Sequence, residues 1–521
     1  MTAISHGQVS GPIRSTVPAR LDRLPWGPFH WRVVVALGIT WVLDGIEITV
    51  ASSIADRLRD ARTLGLSSSQ VGLSASLYLV GEVAGALVFG RLADKFGRRK
   101  LFVLTLGVYL LGNGLTAFST SFWFFALTRV IAGTGIGGEY AAINSAIDEL
   151  IPAPYRGHTD LAINGTYWLG AMIGAAANLA FLNDRLLPID LGWRLGLLIG
   201  PVIGLLIWPL RRKIPESPRW LLTHGRVQEA ERIVADIERE TEARGVLLRP
   251  VTEDQAIEIQ PRGVATYREL ARTLFRDYRR RSIVGFLLMV TQSFLYNAIF
   301  FTYALVLASF YGIRGGAVAY FIFPFAVGNL LGPLLLGRFF DTIGRRIMIG
   351  STYTVSGVLL FVTGWLFDRG ALTAVTQTIL WCVIFFFASA AASSAYLTVS
   401  EVFPLELRAE AISFFFAIAT LSGGVVAPWL FATLIGNGHS RQNVFLGYAA
   451  AAVLMIVGGV VEYLWGVDAE RRSLESVATP LSARTAAAGG AVASGLTGGL
   501  TPHVRRGPGG RPLVAGGGEP R

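Results

Sequence analysis

A chain of 521 residues, 52% hydrophobic and 16% charged with a mean hydropathy of +0.51, is too apolar for a soluble domain of ordinary composition and belongs in a bilayer. The net charge of +11 raises nucleic acid as a partner, but the basic residues gather in alternate loops between apolar runs, which is the pattern of membrane topology and not of a nucleic-acid surface. The single cysteine, Cys382, excludes an intrachain disulfide, the six histidines show no zinc-type spacing, and neither a metal nor a cofactor is implied.

Residues 1–30 are polar, lack the apolar stretch of a signal peptide and read as a cytoplasmic tail. From Trp31 onward, apolar runs of about 20 residues recur, each long enough to cross a ~30 Å hydrocarbon core as a helix. Twelve spans are predicted, at roughly 31–54, 69–90, 100–119, 121–144, 158–182, 192–211, 281–310, 317–337, 346–367, 373–399, 408–434 and 443–466. Basic clusters follow span 2 (Arg91, Lys95, Arg98, Arg99, Lys100), span 6 (from Arg211 to Arg281) and span 8 (Arg338, Arg345, Arg346). By the positive-inside rule both termini and the long central loop face the cytoplasm.

The expected organisation is an N-terminal six-helix bundle over 31–211, a cytoplasmic central loop over 212–280, a C-terminal six-helix bundle over 281–466 and a cytoplasmic tail over 467–521. In the central loop, Val227, Ala230, Val234 and Ile237 recur at helical spacing among charges, predicting an amphipathic helix that covers the cytoplasmic face. The tail turns to Ala, Gly, Ser, Pro and Arg and is expected to be disordered.

Two echoes mark an internal repeat. "GRLADKFGRRK" from Gly90 returns as "GRFFDTIGRRI" from Gly337, 247 residues on, and "DELIPAPYRG" from Asp148 returns as "SEVFPLELRA" from Ser400, 252 residues on. Two echoes at nearly one offset indicate two homologous halves in parallel repeat. "GTGIGG" (133–138) matches a dinucleotide fingerprint formally but sits inside a span, where small residues let helix backbones approach.

The charges inside the spans carry the functional signal. Asp44, Glu47, Glu82, Arg129 and Glu139 all fall in the first half, whereas the second offers only neutral Gln292, Asn297, Asn329 and Gln377 at mid-span. Each isolated charge costs about 2.5–3.5 kcal/mol at mid-membrane, so pairing, protonation or a wet cavity must offset it. The first half is expected to handle a proton and the second to shape a polar site.

Together, the repeated basic loop, "RVIAGTGIGGEY" in span 4, "PESPRWLL" after span 6 and "SEVFPLELRA" after span 10 resemble the major facilitator superfamily, within it the sugar porters and related metabolite/proton symporters. The resemblance implies an all-α membrane fold of two six-helix bundles and a transporter, not an enzyme. It implies import of a small polar metabolite, a sugar or an organic or aromatic acid, by proton symport and alternating access. A drug/proton antiporter of the same fold and a proton-independent facilitator are the alternatives. The implied partners are the solute, the proton and the bilayer, with the monomer as the working unit; separately, the excess of Arg over Lys points to a bacterial cytoplasmic membrane.

On these motifs Glu47 and Arg129 align with the family's proton-site pair, and Asp44, one turn away in "DGIE", is expected to share in proton coupling. A cytoplasmic gate is implied at Gly90, Asp94, Arg98, Glu149, Arg156, Glu216, Arg219, Gly337, Asp341, Arg345, Glu401 and Arg408. There the glycines permit helix contact, the aspartates accept from a helix N-terminus, and Glu149 is expected to pair with Arg156 and Glu401 with Arg408 as partly exposed, weak ion pairs. Asp160, Asn164, Tyr167 and Trp168 share a face of span 5 and, with Gln292, Asn297 and Tyr396, are the expected cavity lining. The sugar porters' own pattern is broken at Thr291, Phe301 and Thr302, at Tyr396 in place of Trp and at Asn164 in place of Gln, which leaves the solute open.

Overall fold

In the computed structural model, which describes residues 12–259, 261, 266–313, 319–435 and 440–481, twelve long helices account for the apolar runs. The first half holds α1 (Pro28–Ser53), α2 (Ser68–Phe96), α3 (Arg98–Thr116), α4 (Phe122–Leu150), α5 (Arg156–Phe181) and α6 (Ile189–Arg212). The second holds α7 (Arg279–Tyr311), α8 (Ala319–Thr342), α9 (Arg345–Asp368), α10 (Ala374–Glu401), α11 (Arg408–Ala419 and Ala427–Ile435, joined by a π-helical stretch, Thr420–Val426) and α12 (Arg441–Trp465). Eight of the described helices are long and apolar enough to cross a membrane on length and composition alone. Apolar side chains such as Trp123, Leu206 and Tyr320 stand exposed on the outer faces, where hydrocarbon would meet them.

Starts and stops follow local chemistry. Ser67, Ser121, Thr373 and Ser440 cap α2, α4, α10 and α12 by accepting from a first-turn amide. Pro428 has no N–H to give the helix ladder, and the widened π turn of α11 ends two residues before it. Within the first half α2 packs on α4 so closely that a Cβ on Gly133 would lie 2.2 Å from the Tyr78 carbonyl oxygen, and one on Gly137 1.9 Å from that of Glu82. That contact accounts for Gly133, Gly137 and Gly138 of the "GTGIGG" run, while Gly135 faces α3, where a Cβ would lie 2.5 Å from the Tyr109 amide nitrogen. Across the halves α5 meets α8 and α2 meets α11.

Both expected tails are in part built into the fold. β1 (Ile13–Ser15) pairs antiparallel with β2 (Ile257–Ile259) of the central segment. The helix Val17–Asp22 packs on the amphipathic helix Val227–Glu242, whose Ala230, Val234 and Ile237 are buried. Arg20 and Arg23 each reach Glu238 at 2.5 Å. Burial alone would raise that carboxyl, but the two guanidiniums hold it below its ordinary value. Residues 467–481, expected to be disordered, dock through buried Leu474 and Val477 and through Glu475, 2.9 Å from Arg219. Composition averaged over 467–521 hides this short anchored stretch. Residues 482–521 lie outside the described residues, as do the side chains of Phe301 and Thr302.

Candidate functional site

Between the halves lies a cavity of about 190 Å³. α1 contributes Trp41, Asp44 and Ile48, α2 Leu79 and Glu82, α4 Tyr140, and α5 Asn164, Tyr167 and Trp168. The facing wall comes from α7 (Gln292, Ser293, Tyr296, Asn297), α10 (Ser389, Ala392, Ser393, Tyr396) and α11 (Phe416, Thr420, Gly424). Six of the seven expected lining residues are therefore gathered here. The exception is Asp160. It shares the helical face of Asn164 but sits one turn, about 6 Å, further along α5, buried against the seam between the halves and outside the cavity. Its electrostatic neighbours are Asp148, Glu401 and Arg345. Periodicity gave the face correctly and could not give the depth.

Behind the α1 wall, Glu47 accepts from Arg129 on α4 and from Asn113 on α3, all three buried. Asp44, three residues earlier, accepts from the hydroxyls of Tyr140 and Tyr78, the latter at 3.4 Å. Tyr78 also carries the Arg129 guanidinium 4.2 Å over its ring. One phenol thus touches both the ion pair and the cavity carboxylate, a link with no signal in the sequence because Tyr78 is an ordinary apolar-face residue of α2. A second buried pair joins Glu139 to Arg211 at 2.6 Å. Arg211, read from sequence as the first residue of the basic loop, instead turns into the bundle and also donates to Thr40 and to the Phe102 carbonyl.

The face that carries the α2–α3 and α8–α9 turns, here termed the loop face, is closed by a doubled set of charges. In one set Arg98 pairs with Asp94 and Glu149, both at 2.9 Å. In the other, Arg345 pairs with Asp341 at 2.8 Å and holds Glu401 with two hydrogen bonds of 3.0 and 3.1 Å. Each aspartate crosses the seam to a helix start in the opposite half. Asp94 accepts from the Glu410 amide of α11 at 3.2 Å, and Asp341 from the Gly157 and His158 amides of α5 at 3.1 and 2.8 Å. An anion placed there meets both free amides and the positive helix end.

The outer arginines correct the sequence expectation. Arg156 lies 3.5 Å from Glu401 and Arg408 3.7 Å from Glu149, so these pairs run between halves and not within one. They are also buried, not partly exposed. The echo identified the charged residues, but it could not say across which interface they meet. Gly90 and Gly337 stand at the two helix crossings of the seam, where an added Cβ would lie 1.9 Å from the Ser413 hydroxyl and 3.3 Å from the His158 Cα, respectively.

Each turn is capped from outside the bundle. Glu216 accepts from the amides of Arg98, Arg99 and Ser217 at 2.9, 3.3 and 3.0 Å, and Glu470 from that of Arg345 at 3.3 Å. The Gly-Arg-Arg of both motifs follows from this turn: Gly97 and Gly344 have φ of 97° and 127°, a region closed to most side chains. Arg219 ties the face together, reaching Asp22 at 3.0 Å, Glu475 at 2.9 Å and the Glu149 carbonyl at 2.8 Å. Asp22, Glu470 and Glu475 were missed because they fall in segments that read as tails. Among the described residues no His, Cys, Asp and Glu group is placed to hold a metal ion.

Comparison with known proteins places this architecture. Residues 36–479 match the family described as sugar (and other) transporter. The niacin transporter NiaP of Acinetobacter baylyi is 25% identical over 466 residues, covering 88% of this chain and 99% of the relative. The glucose transporter GlcP of Staphylococcus epidermidis is 28% identical over 434 residues, covering 82% and 92%. Among solved structures, the proton:xylose symporter XylE bound to 6-bromo-6-deoxy-D-glucose aligns with a TM-score of 0.71 at 19% identity, over 86% of this chain and 98% of that one. An inward-open form of XylE from E. coli scores 0.58, also at 19% identity. The chain belongs to the sugar (and other) transporter family of the major facilitator superfamily, and is a multi-pass membrane transporter, not an enzyme.

Proposed function

We propose that this transporter imports a small polar organic solute by proton symport, working as a monomer in a bacterial cytoplasmic membrane with the loop face and both termini in the cytoplasm. The observation that carries the reading is the Glu47–Arg129 pair, buried one turn from the cavity carboxylate Asp44 and joined to it through Tyr78. A carboxylate that exchanges an arginine for a proton changes the charge beside the cavity without moving the backbone, and so biases which way the halves tilt. The positive-inside distribution of arginines supports the orientation.

The seam of buried ion pairs is the cytoplasmic gate in its closed state. Opening it breaks the contacts of Asp94, Asp341, Glu149 and Glu401 across the halves together, which makes the change all-or-none. The test is uptake of a labelled panel of sugars, polyols, organic and aromatic acids and organic cations into proteoliposomes, with and without an inward proton gradient. Accumulation that collapses on adding a protonophore is expected. Gradient-independent equilibration makes the protein a facilitator, and efflux driven by the same gradient makes it an antiporter.

A further inference from the structure

We propose that the cavity takes a small organic cation, and that Asp44 and Glu82 are the groups that select it. This names the substrate class of the transport site and rests on the transport reading above. The described cavity lining holds two carboxyl side chains and neither Lys, Arg nor His. Asp44 is 1% and Glu82 4% exposed. Asp44 is met by two neutral hydroxyls, and the Oε1 of Glu82, on the cavity wall, has no hydrogen-bond partner.

The nearby arginines are committed elsewhere, Arg129 to Glu47 and Arg211 to Glu139. Among the described residues neither Asp44 nor Glu82 takes part in an ion pair. A cation arriving in the cavity supplies the missing partner. A carboxylate solute meets two carboxyl groups with no base to answer it, and a neutral sugar brings no charge for them to pair with.

The rings beside the acids point the same way. Trp41 lies edge-on to Tyr140 and Tyr396, at centroid distances of 4.6 and 5.5 Å, and Phe416 sits 4.5 Å from Tyr140. Ring faces attract a cation through their quadrupole, and most strongly one, such as a quaternary ammonium, that sheds water easily. Asp44 follows Trp41 by one helical turn and accepts from Tyr140, so these two rings and the carboxylate share one wall. Trp41 and Tyr140 belong to the first half, Tyr396 and Phe416 to the second. A cation seated among them draws the two halves together, which is what occlusion requires.

The test is a charge series at fixed shape, read by calorimetry on the purified full-length chain in lipid nanodiscs. One series is choline, its uncharged carbon isostere 3,3-dimethylbutan-1-ol and the anion 3,3-dimethylbutanoate. The other is 1-methylnicotinamide, nicotinamide and nicotinate. At least one cation is expected to bind tenfold or more tighter than its neutral and anionic counterparts. Glu82→Gln and Asp44→Asn, each isosteric, are expected to erase that preference without weakening the neutral member. Tightest binding by a neutral or anionic member, or binding by no cation, overturns the proposal, and the wild-type series decides this even if neither variant folds. The two readings fail separately. Proton-driven uptake of a neutral or anionic solute sinks the cation and keeps the symporter, whereas a bound cation that no proton gradient accumulates keeps the cation and sinks symport.

Discussion

At the loop face the two halves carry the same chemistry in the same places: Asp94, Arg98 and Glu149 in one, Asp341, Arg345 and Glu401 in the other, each set crossing to the partner half's helix start. Deeper in, they diverge. The first half buries Asp44, Glu47, Glu82, Arg129, Glu139 and Arg211, while the second faces the cavity with Gln292, Ser293, Asn297 and Tyr396. Symmetric charges suit a gate that must engage both halves at once. An asymmetric interior suits a machine in which one half titrates and the other shapes the cavity.

The comparison breaks first at the buried arginines. Arg98→Ala and Arg345→Ala each strand buried carboxylates, at a cost of about 3–5 kcal/mol, and because the sets mirror one another the two losses in thermal stability should agree. Both should also raise the labelling of a single cysteine placed in the seam of a Cys382→Ser background. A large effect from one arginine and none from the other would end the symmetric account of the gate.

Next are the crossing glycines, where the halves are not equal. A Cβ at Gly90 clashes with Ser413, so Gly90→Ala is expected to cost about 1–3 kcal/mol, with partial relief from Ser413→Gly. Gly337→Ala meets its nearest atom at 3.3 Å and should cost less. The turn caps follow. Glu216→Gln should destabilise more than Glu470→Gln, because Glu216 takes three amides and Glu470 one, with a charge effect of about 0.3–1 kcal/mol. Equal melting shifts would contradict that ranking.

The smallest effect is on the docking of residues 12–27. The Glu238 carboxyl lies below its ordinary value in the folded chain. Its contribution is therefore present above the unfolded value of about 4.3 and is lost as the pH falls through the folded one. Protection of the helix Val17–Asp22 against hydrogen exchange, taken relative to the intrinsic rate at each pH, should fall on acidification below that range and should lose this pH response in Glu238→Gln.

Much of this was legible in the sequence for identifiable reasons. Apolar run length marks spans wherever hydrocarbon is the solvent, and an internal repeat exposes its own motif, so the twelve helices and the charged turns were readable. Side-chain period placed Asn164, Tyr167 and Trp168 on the cavity face of α5. What the period lacks is position along the axis, which is why Asp160 landed at the seam, and any record of which helices touch, which is why Arg156 and Arg408 were paired within halves and not across them. The anchoring of residues 12–27 and 467–481 was hidden for a third reason. Asp22, Glu470 and Glu475 act singly through ion pairs and amide caps that composition averages away.

The most direct test of the unequal interior is accumulation of whichever solute the panel identifies, in proteoliposomes, by the wild type and by Glu47→Gln. One proton moving across 100 mV supplies about 2.3 kcal/mol, enough for roughly 40-fold accumulation. For a neutral solute the wild type should approach that gradient, and for a cation exceed it because the solute's own charge also moves through the potential, while Glu47→Gln should lose the proton-driven share and still exchange labelled for unlabelled molecules. Proton-driven uptake that survives in Glu47→Gln would contradict a proton site in the first half and leave Glu47–Arg129 as a structural pair.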